Sequence, residues 1–296
     1  MRKGRVRRIT SWCKAMLFVA PALFFYIVFL IRPIIDTFQI SLHRWNGMTP
    51  HMEFIGFANY RSLVRDPIFI RALFNNVYWM LFTIFVPVLL GLILAVIVNQ
   101  KFVKFRMLFR VAYFVPTVVS LVAVAIVWRW IYSPLFGILT RSFEAFGMRS
   151  PDWLGDPNWA LFSLLITGSW TYYGFCMVIF MAALAGVDPT YNEVALIEGA
   201  NPFQKFIYVT IPLVKNTITL LVLNSLIGSF RVFELVYVMT RGGPFRSTEV
   251  IATYMVSTAF NLNDVGLGAA IAIVLAVIIA IFSIGYLMFI ERRGSE

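Results

Sequence analysis

The chain holds 296 residues, 60% of them hydrophobic and 13% charged, with a formal net charge of +11. Soluble domains carry about a quarter charged residues, so this composition excludes a soluble globular protein and assigns the chain to the bilayer. The positive excess shows no basic stripe interleaved with stacking aromatics, which sets aside nucleic acid as a partner and leaves membrane topology as its source.

Crossing a hydrocarbon core of about 30 Å takes about 20 helical residues, and this length sorts the chain from its N-terminus onward. Residues 1–14, including MRKGRVRR, read as a basic cytoplasmic N-terminus. A first span over 15–35 is followed by Arg32, Pro33 and a long loop without a small-residue cleavage site, so it is expected to be retained rather than removed as a signal peptide. An external loop covers 36–70. A membrane domain over 71–289 then carries spans at about 77–98, 109–130, 159–184, 218–239 and 266–289, and 290–296 form a C-terminal tail. The expected fold class is all-α, a polytopic membrane protein with six transmembrane helices and both termini cytoplasmic.

Orientation follows from Lys and Arg. The N-terminal cluster, Lys101, Lys104, Arg106, Arg110, Lys205, Lys215, Arg292 and Arg293 fall on one side. The other side holds fewer, on longer loops, such as Arg44, Arg61, Arg71 and Arg246. The positive-inside bias places the first set in the cytoplasm.

Between the fourth and fifth spans the apolar text is interrupted over 188–212, on the cytoplasmic side. In GVDPTYNEVALIEG, Asp188 is the expected N-cap, Pro189 takes the first helical position and Gly199 stops the helix. In NPFQKF, Asn201 and Gln204 have capping-box spacing around Pro202, and Phe203, Phe206 and Ile207 share one face. Two short surface helices around a Gly corner are expected, and on this grammar alone an ordinary interfacial amphipathic loop is favoured over a docking surface.

The stretch EVALIEGANPFQKFIYVTIP resembles the EAA loop of permease subunits of binding-protein-dependent ABC importers. Glu193, Ala195, Gly199 and Pro212 match that pattern at the right spacing, while Val194, Val209 and Ile211 depart by small apolar exchanges. FIGFANY, DWLGDPNWAL and VYVMTRGGPFRSTEVIATYMVSTAF extend the resemblance along most of the chain, toward the sugar-permease branch and its first-permease subtype. The resemblance implies an inner-membrane permease of a bacterial importer, working by alternating access. It implies as partners a second permease in a heterodimer, two cytoplasmic ATPase subunits and an extracytoplasmic solute-binding protein. ATP and Mg are then used by the partner ATPase subunits and no cofactor is bound by this chain. Glu193, Ala195, Glu198, Gly199, Ala200, Pro202, Phe203 and Pro212 are the expected ATPase-coupling residues.

No Gly-x-x-x-x-Gly-Lys-Ser/Thr phosphate cradle occurs, so the chain is not expected to be an enzyme. His43 and His51, and the two cysteines Cys13 and Cys176, lack neighbours at ligand spacing, so no metal is expected. Polar residues inside spans are the default functional candidates, because hydrocarbon penalises them. For a substrate cavity these are Gly168, Trp170, Thr171 and Tyr172 in the fourth span, with Asn224, Ser225, Ser229, Arg231 and Glu234 in the fifth. Arg231 and Glu234 have the i, i+3 spacing of an ion pair. Alternatives are an ion-gradient-driven secondary carrier, which the scarcity of intramembrane acids disfavours, a glycerol phosphate ester importer of the same ABC family, and a membrane scaffold without transport.

Overall fold

The structure, a computed structural model, describes residues 18–100 and 103–294. The basic N-terminus, the first residues of the first span, Cys13 and Lys101 lie outside the described residues. Among the described residues four helices are individually long and apolar enough to cross a bilayer, and the number rises to six when each of two bent helix pairs is counted as one span. A small two-stranded hairpin is the one β element among the described residues.

The chain forms two compact units, residues 18–63 with Met255–Val274, and Val64–Tyr254 with residues 275–294. The first unit opens with α1, Phe18–Ser41, whose apolar window has no buried residues. A π-turn at Ile27–Ile31 precedes Pro33, and the Arg32 N–H reaches back to the Ile27 carbonyl. The wider turn accommodates a proline that has no N–H to give. Strands β1 (His43–Arg44) and β2 (Glu53–Phe54) pair antiparallel, and α2 spans Ala58–Arg65. The Asn59 amide donates to the carbonyls of Ser41 at 2.8 Å and His43 at 3.0 Å, closing the loop onto the end of α1.

The second unit is built on α3 (Pro67–Val98) and α7 (Pro157–Ala185). Both begin at an Asp-Pro pair. Asp66 accepts from the Ile68 and Phe69 N–H groups and Asp156 from that of Asn158, with proline at the first helical position where its missing N–H costs little. The Asp66 cap starts α3 about ten residues before the expected span, so the external loop is shorter than the apolar run suggests. Small residues let the backbones approach: a Cβ on Gly91 would lie 2.5 Å from the Cys176 Cβ, and one on Gly174 would collide with the Tyr113 carbonyl. Two apolar clusters result. One holds Trp79, Tyr132, Trp153, Leu164 and Val236; the other holds Val88, Leu92, Met177, Phe180 and Leu221.

Two expected spans are not continuous. The third divides into α4 (Arg106–Val118) and α5 (Leu121–Ile131), set at 98° to each other. Pro116 removes a helix hydrogen bond, and Val119 and Ser120 adopt extended ψ values of 139° and 130°. The fifth, expected over 218–239, is α10, Lys215–Phe230, and ends nine residues early. Arg231, Val232 and Phe233 break the helix before a short α11, Glu234–Met239. Short helices α6 (Ile138–Ala145), α8 (Thr190–Ile197) and α12 (Ile251–Val256) connect the rest, with α9, Pro202–Leu213, joining α10 at 74°. The last helix, α13, runs Val265–Gly294 and takes in most of the expected C-terminal tail.

Candidate functional site

The helix break after Phe230 opens a cavity of about 210 Å³ in the second unit. From α7 it takes Gly168, Thr171 and Tyr172, and from α10 Asn224, Ser225 and Ser229. Arg231 and Glu234 flank the break and also line it. Eight of the nine cavity candidates therefore meet at one place. Trp170 does not: it turns to the α5 face, where its ring packs edge-on against Trp128 at 5.6 Å.

The geometry sorts the candidates by access. Asn224 is exposed, and its Oδ1 accepts from the Tyr172 hydroxyl at 3.4 Å, while Ser225 Oγ donates to the same hydroxyl at 3.4 Å. These three groups form a polar wall with spare hydrogen-bonding capacity. Ser229 is 1% exposed; its Oγ donates to the Ser225 carbonyl at 2.6 Å, so its hydroxyl is already committed to the helix. Arg231 and Glu234 are not the ion pair their spacing suggests. Among the described residues, ion pairs join Arg32 to Asp36, Arg44 to Glu53 and Arg246 to Glu249. The i, i+3 rule needs helical backbone between the two residues, and Phe233 at φ −140° interrupts it.

Sequence reasoning missed Trp79 and Thr83 of α3; Gly228 of α10, which shares a face with Asn224 and Arg231 at helical spacing, joins them in the lining. Trp79 and Thr83 are spaced i, i+4, yet the α3 segment is so uniformly apolar that no stripe stands out. Gly228 has nothing within 4 Å of where a Cβ would point, an open notch in the cavity wall.

At the other end of α10 lies the 188–212 segment. Asp188 accepts from the Thr190 N–H at 2.9 Å, and hydrogen bonds from the Thr190 side chain and backbone hold its carboxyl below the usual range. Helix α8 ends as a Schellman motif: Ala200 N–H bonds the Ala195 carbonyl at 3.0 Å and Gly199 N–H the Leu196 carbonyl at 3.1 Å. Gly199 takes φ +75°, which the motif requires. The expected capping box is present, with Asn201 and Gln204 exchanging hydrogen bonds at 2.9 and 2.8 Å. Two fully specified turns thus fix the corner between α8 and α9.

This corner is a presented surface. Glu193, Glu198, Gly199, Pro202, Phe203 and Pro212 are exposed, Ala200 is half-buried, and Ala195 turns inward at 7%. Sequence reasoning missed that Ile197 and Tyr208 are also exposed, at 84% and 76%. A groove of about 560 Å³ runs between the segment and the end of α3, with Glu193, Lys205, Asn99 and Gln100 in its walls. Among the described residues, no three His, Cys, Asp or Glu side chains gather as metal ligands would.

Comparison with known proteins places the chain in a family. Residues 87–294 match the family described as "Binding-protein-dependent transport system inner membrane component". The chain is 33% identical over 283 residues to the probable ABC transporter permease protein YurN of Bacillus subtilis, covering 95% of this chain and 97% of that one. It is 32% identical over 270 residues to the arabinooligosaccharides transport system permease protein AraP of the same organism, covering 90% and 85%. The fold matches a chain of a bacterial ABC transporter that imports the acidic polysaccharide alginate, with a TM-score of 0.84, 22% identity and 99% of both chains covered.

Proposed function

Because the chain belongs to the inner-membrane components of binding-protein-dependent transport systems, we propose that it is the permease through which a carbohydrate crosses the bacterial cytoplasmic membrane by alternating access. Relatives named for oligosaccharide transport support the substrate class. The observation that carries the mechanism is that α10 has the polar cavity at one end and the capped, exposed α8–α9 corner at the other. A push on the corner is a push on the cavity wall.

In this mechanism the solute-binding protein delivers sugar on the extracytoplasmic side. Two cytoplasmic ATPase subunits, using ATP and Mg, close on one another and carry the docked corner with them. The corner residues Glu193, Glu198, Gly199, Ala200, Pro202, Phe203 and Pro212 form the ATPase-facing surface, and the buried Ala195 keeps α8 packed. Helix α10 then tilts, and the cavity changes its open side. A second, distinct permease completes the pathway. Only contacts that differ between the two states can drive such a change, and Tyr172, Asn224 and Ser225 are the groups offered to sugar hydroxyls, the Thr171 hydroxyl being committed to the Gly168 carbonyl at 2.7 Å.

Gly228 gives the sharpest test. Gly228→Leu is expected to lower oligosaccharide uptake at least about fivefold in fully assembled complexes, because Gly228 lines the cavity and its added Cβ meets open space there. Radiolabelled uptake in proteoliposomes measures it; unaltered uptake by assembled variant removes the cavity from the pathway. Ser229→Leu is expected to behave differently and reduce assembly, since a side chain added at a 1% exposed position overpacks the helix contact.

Orientation has its own test. A phosphatase reporter fused after Arg246 is expected to be active and one fused after Lys205 inactive, with α10 between them spanning the membrane. The opposite activities reverse the assignment of sides.

A further inference from the structure

Two adjacent asparagines on α3, Asn75 and Asn76, are 5% and 0% exposed, within an otherwise apolar helix. Buried carboxamides are retained when their hydrogen bonds are met, and both of these are met by the same distant part of the chain. Asn75 Nδ2 donates to the Ser247 carbonyl at 2.9 Å and to the Glu249 carbonyl at 2.8 Å. Asn76 reaches two elements at once: Nδ2 donates to the Ser229 carbonyl at 2.7 Å, and Oδ1 accepts from the Ile251 N–H at 2.9 Å. The Ser229 carbonyl belongs to the last turn of α10, directly before the break that opens the cavity. Ile251 begins α12, directly after the loop over 240–249.

That loop is held as one body. The Glu249 side chain, 2% exposed, accepts from Arg246 Nη1 at 2.8 Å and from Thr253 Oγ1 at 2.5 Å. Gly242, at φ +81°, packs so closely on this carboxylate that a Cβ would collide with it. Arg71 Nη1 donates to the Phe245 carbonyl at 3.0 Å, and Phe245 itself stands 84% exposed at the tip. The loop therefore meets the cavity region by two routes, its covalent join to α11 at Thr240 and the Ile251 N–H held by Asn76.

We propose that Asn76 is a positioning residue for translocation, whose single carboxamide links this loop to the cavity end of α10, so that force applied at the loop shifts the cavity wall. Asn75 hydrogen-bonds the loop and not α10, so its role is confined to presenting the loop. The inference rests on the permease reading above, in which the binding protein delivers sugar on the extracytoplasmic side, opposite the ATPase-facing corner.

The experiment uses the complete complex in proteoliposomes with the binding protein encoded beside the permease, saturated with whichever oligosaccharide raises its melting temperature. ATP hydrolysis is measured with and without loaded binding protein. Asn76→Leu is expected to leave basal hydrolysis intact and to cut maximal stimulation about tenfold, with the half-saturating binding-protein concentration unchanged. Asn75→Leu is expected to do the reverse, raising that concentration and sparing the maximum. Should Asn76→Leu not assemble, Asn76→Asp keeps the acceptor for Ile251 and lacks the donor to Ser229, and the same loss of maximal stimulation is expected. Wild-type stimulation by an assembled Asn76 variant overturns the link, and so does failure of both variants to assemble, which makes Asn76 purely structural. Absence of stimulation in the wild-type complex would instead sink the permease reading itself.

Discussion

Gly199→Val is expected to cut sugar uptake about five- to thirtyfold while the permease still inserts and folds. Gly199 sits at φ +75°, and nothing lies within 4 Å of where its Cβ would be, so the substitution meets no steric obstacle from neighbours. What it meets is backbone strain. An L-residue in the left-handed region costs roughly 1–2 kcal/mol, a β-branched one is a genuine outlier there, and that energy corresponds to about the stated factor. The strain falls on the Schellman hydrogen bonds from Gly199 and Ala200, which set the direction in which α9 leaves α8. Displacing the corner moves Glu198, Pro202 and Phe203 together and weakens docking of the ATPase. Copurification of the ATPase with the variant measures this directly. Gly199→Asn, which tolerates positive φ through its own side-chain hydrogen bonding, is expected to restore most of both binding and uptake. Equal, wild-type values for Val and Asn would remove the corner from coupling.

Gly174→Ala is expected to be the most damaging single methyl group in the described structure. A Cβ there would collide with the Tyr113 carbonyl and lie 3.2 Å from the Phe114 Cα, and both are backbone atoms of α4 that cannot rotate away. The two helices must separate, and overpacking of this kind costs about 1–3 kcal/mol or more. Thr117 Oγ1 donates to the Thr171 carbonyl at 2.8 Å across the same contact, so separation also loses a hydrogen bond inside the bilayer. The expected result is a melting temperature lowered by several degrees and a reduced yield of assembled complex in detergent. Gly285→Ala on α13 is the control: its Cβ would meet open space, and alanine is the better helix former. Unchanged stability of Gly174→Ala would mean that α4 and α7 are not packed as described.

The sequence by itself determined that this is an all-α membrane protein with several apolar spans, and the turns of the corner over 188–212. These are local matters. Hydrocarbon requires long apolar helices, and Asp-Pro starts, the Gly199 stop and the Asn201–Gln204 box act over four or five residues, so their hydrogen bonds are written in adjacent letters. Only the tertiary structure decided where helices break within an apolar run. Pro116 is visible in the sequence, but the 98° turn three residues later depends on what α4 and α5 each pack against. The same holds for the break at Arg231 to Phe233, which undid the expected Arg231–Glu234 pair and made both residues cavity wall instead. Trp170 illustrates the limit from the other side, since on a helix apolar all round no periodicity tells which side faces a cavity and which faces Trp128. Asn75 and Asn76 could be noticed as polar letters in an apolar span, but their partners lie more than 150 residues away in sequence. Contacts at that separation are set by how the helices assemble, because a carboxamide can be satisfied by any carbonyl the fold brings within about 3 Å.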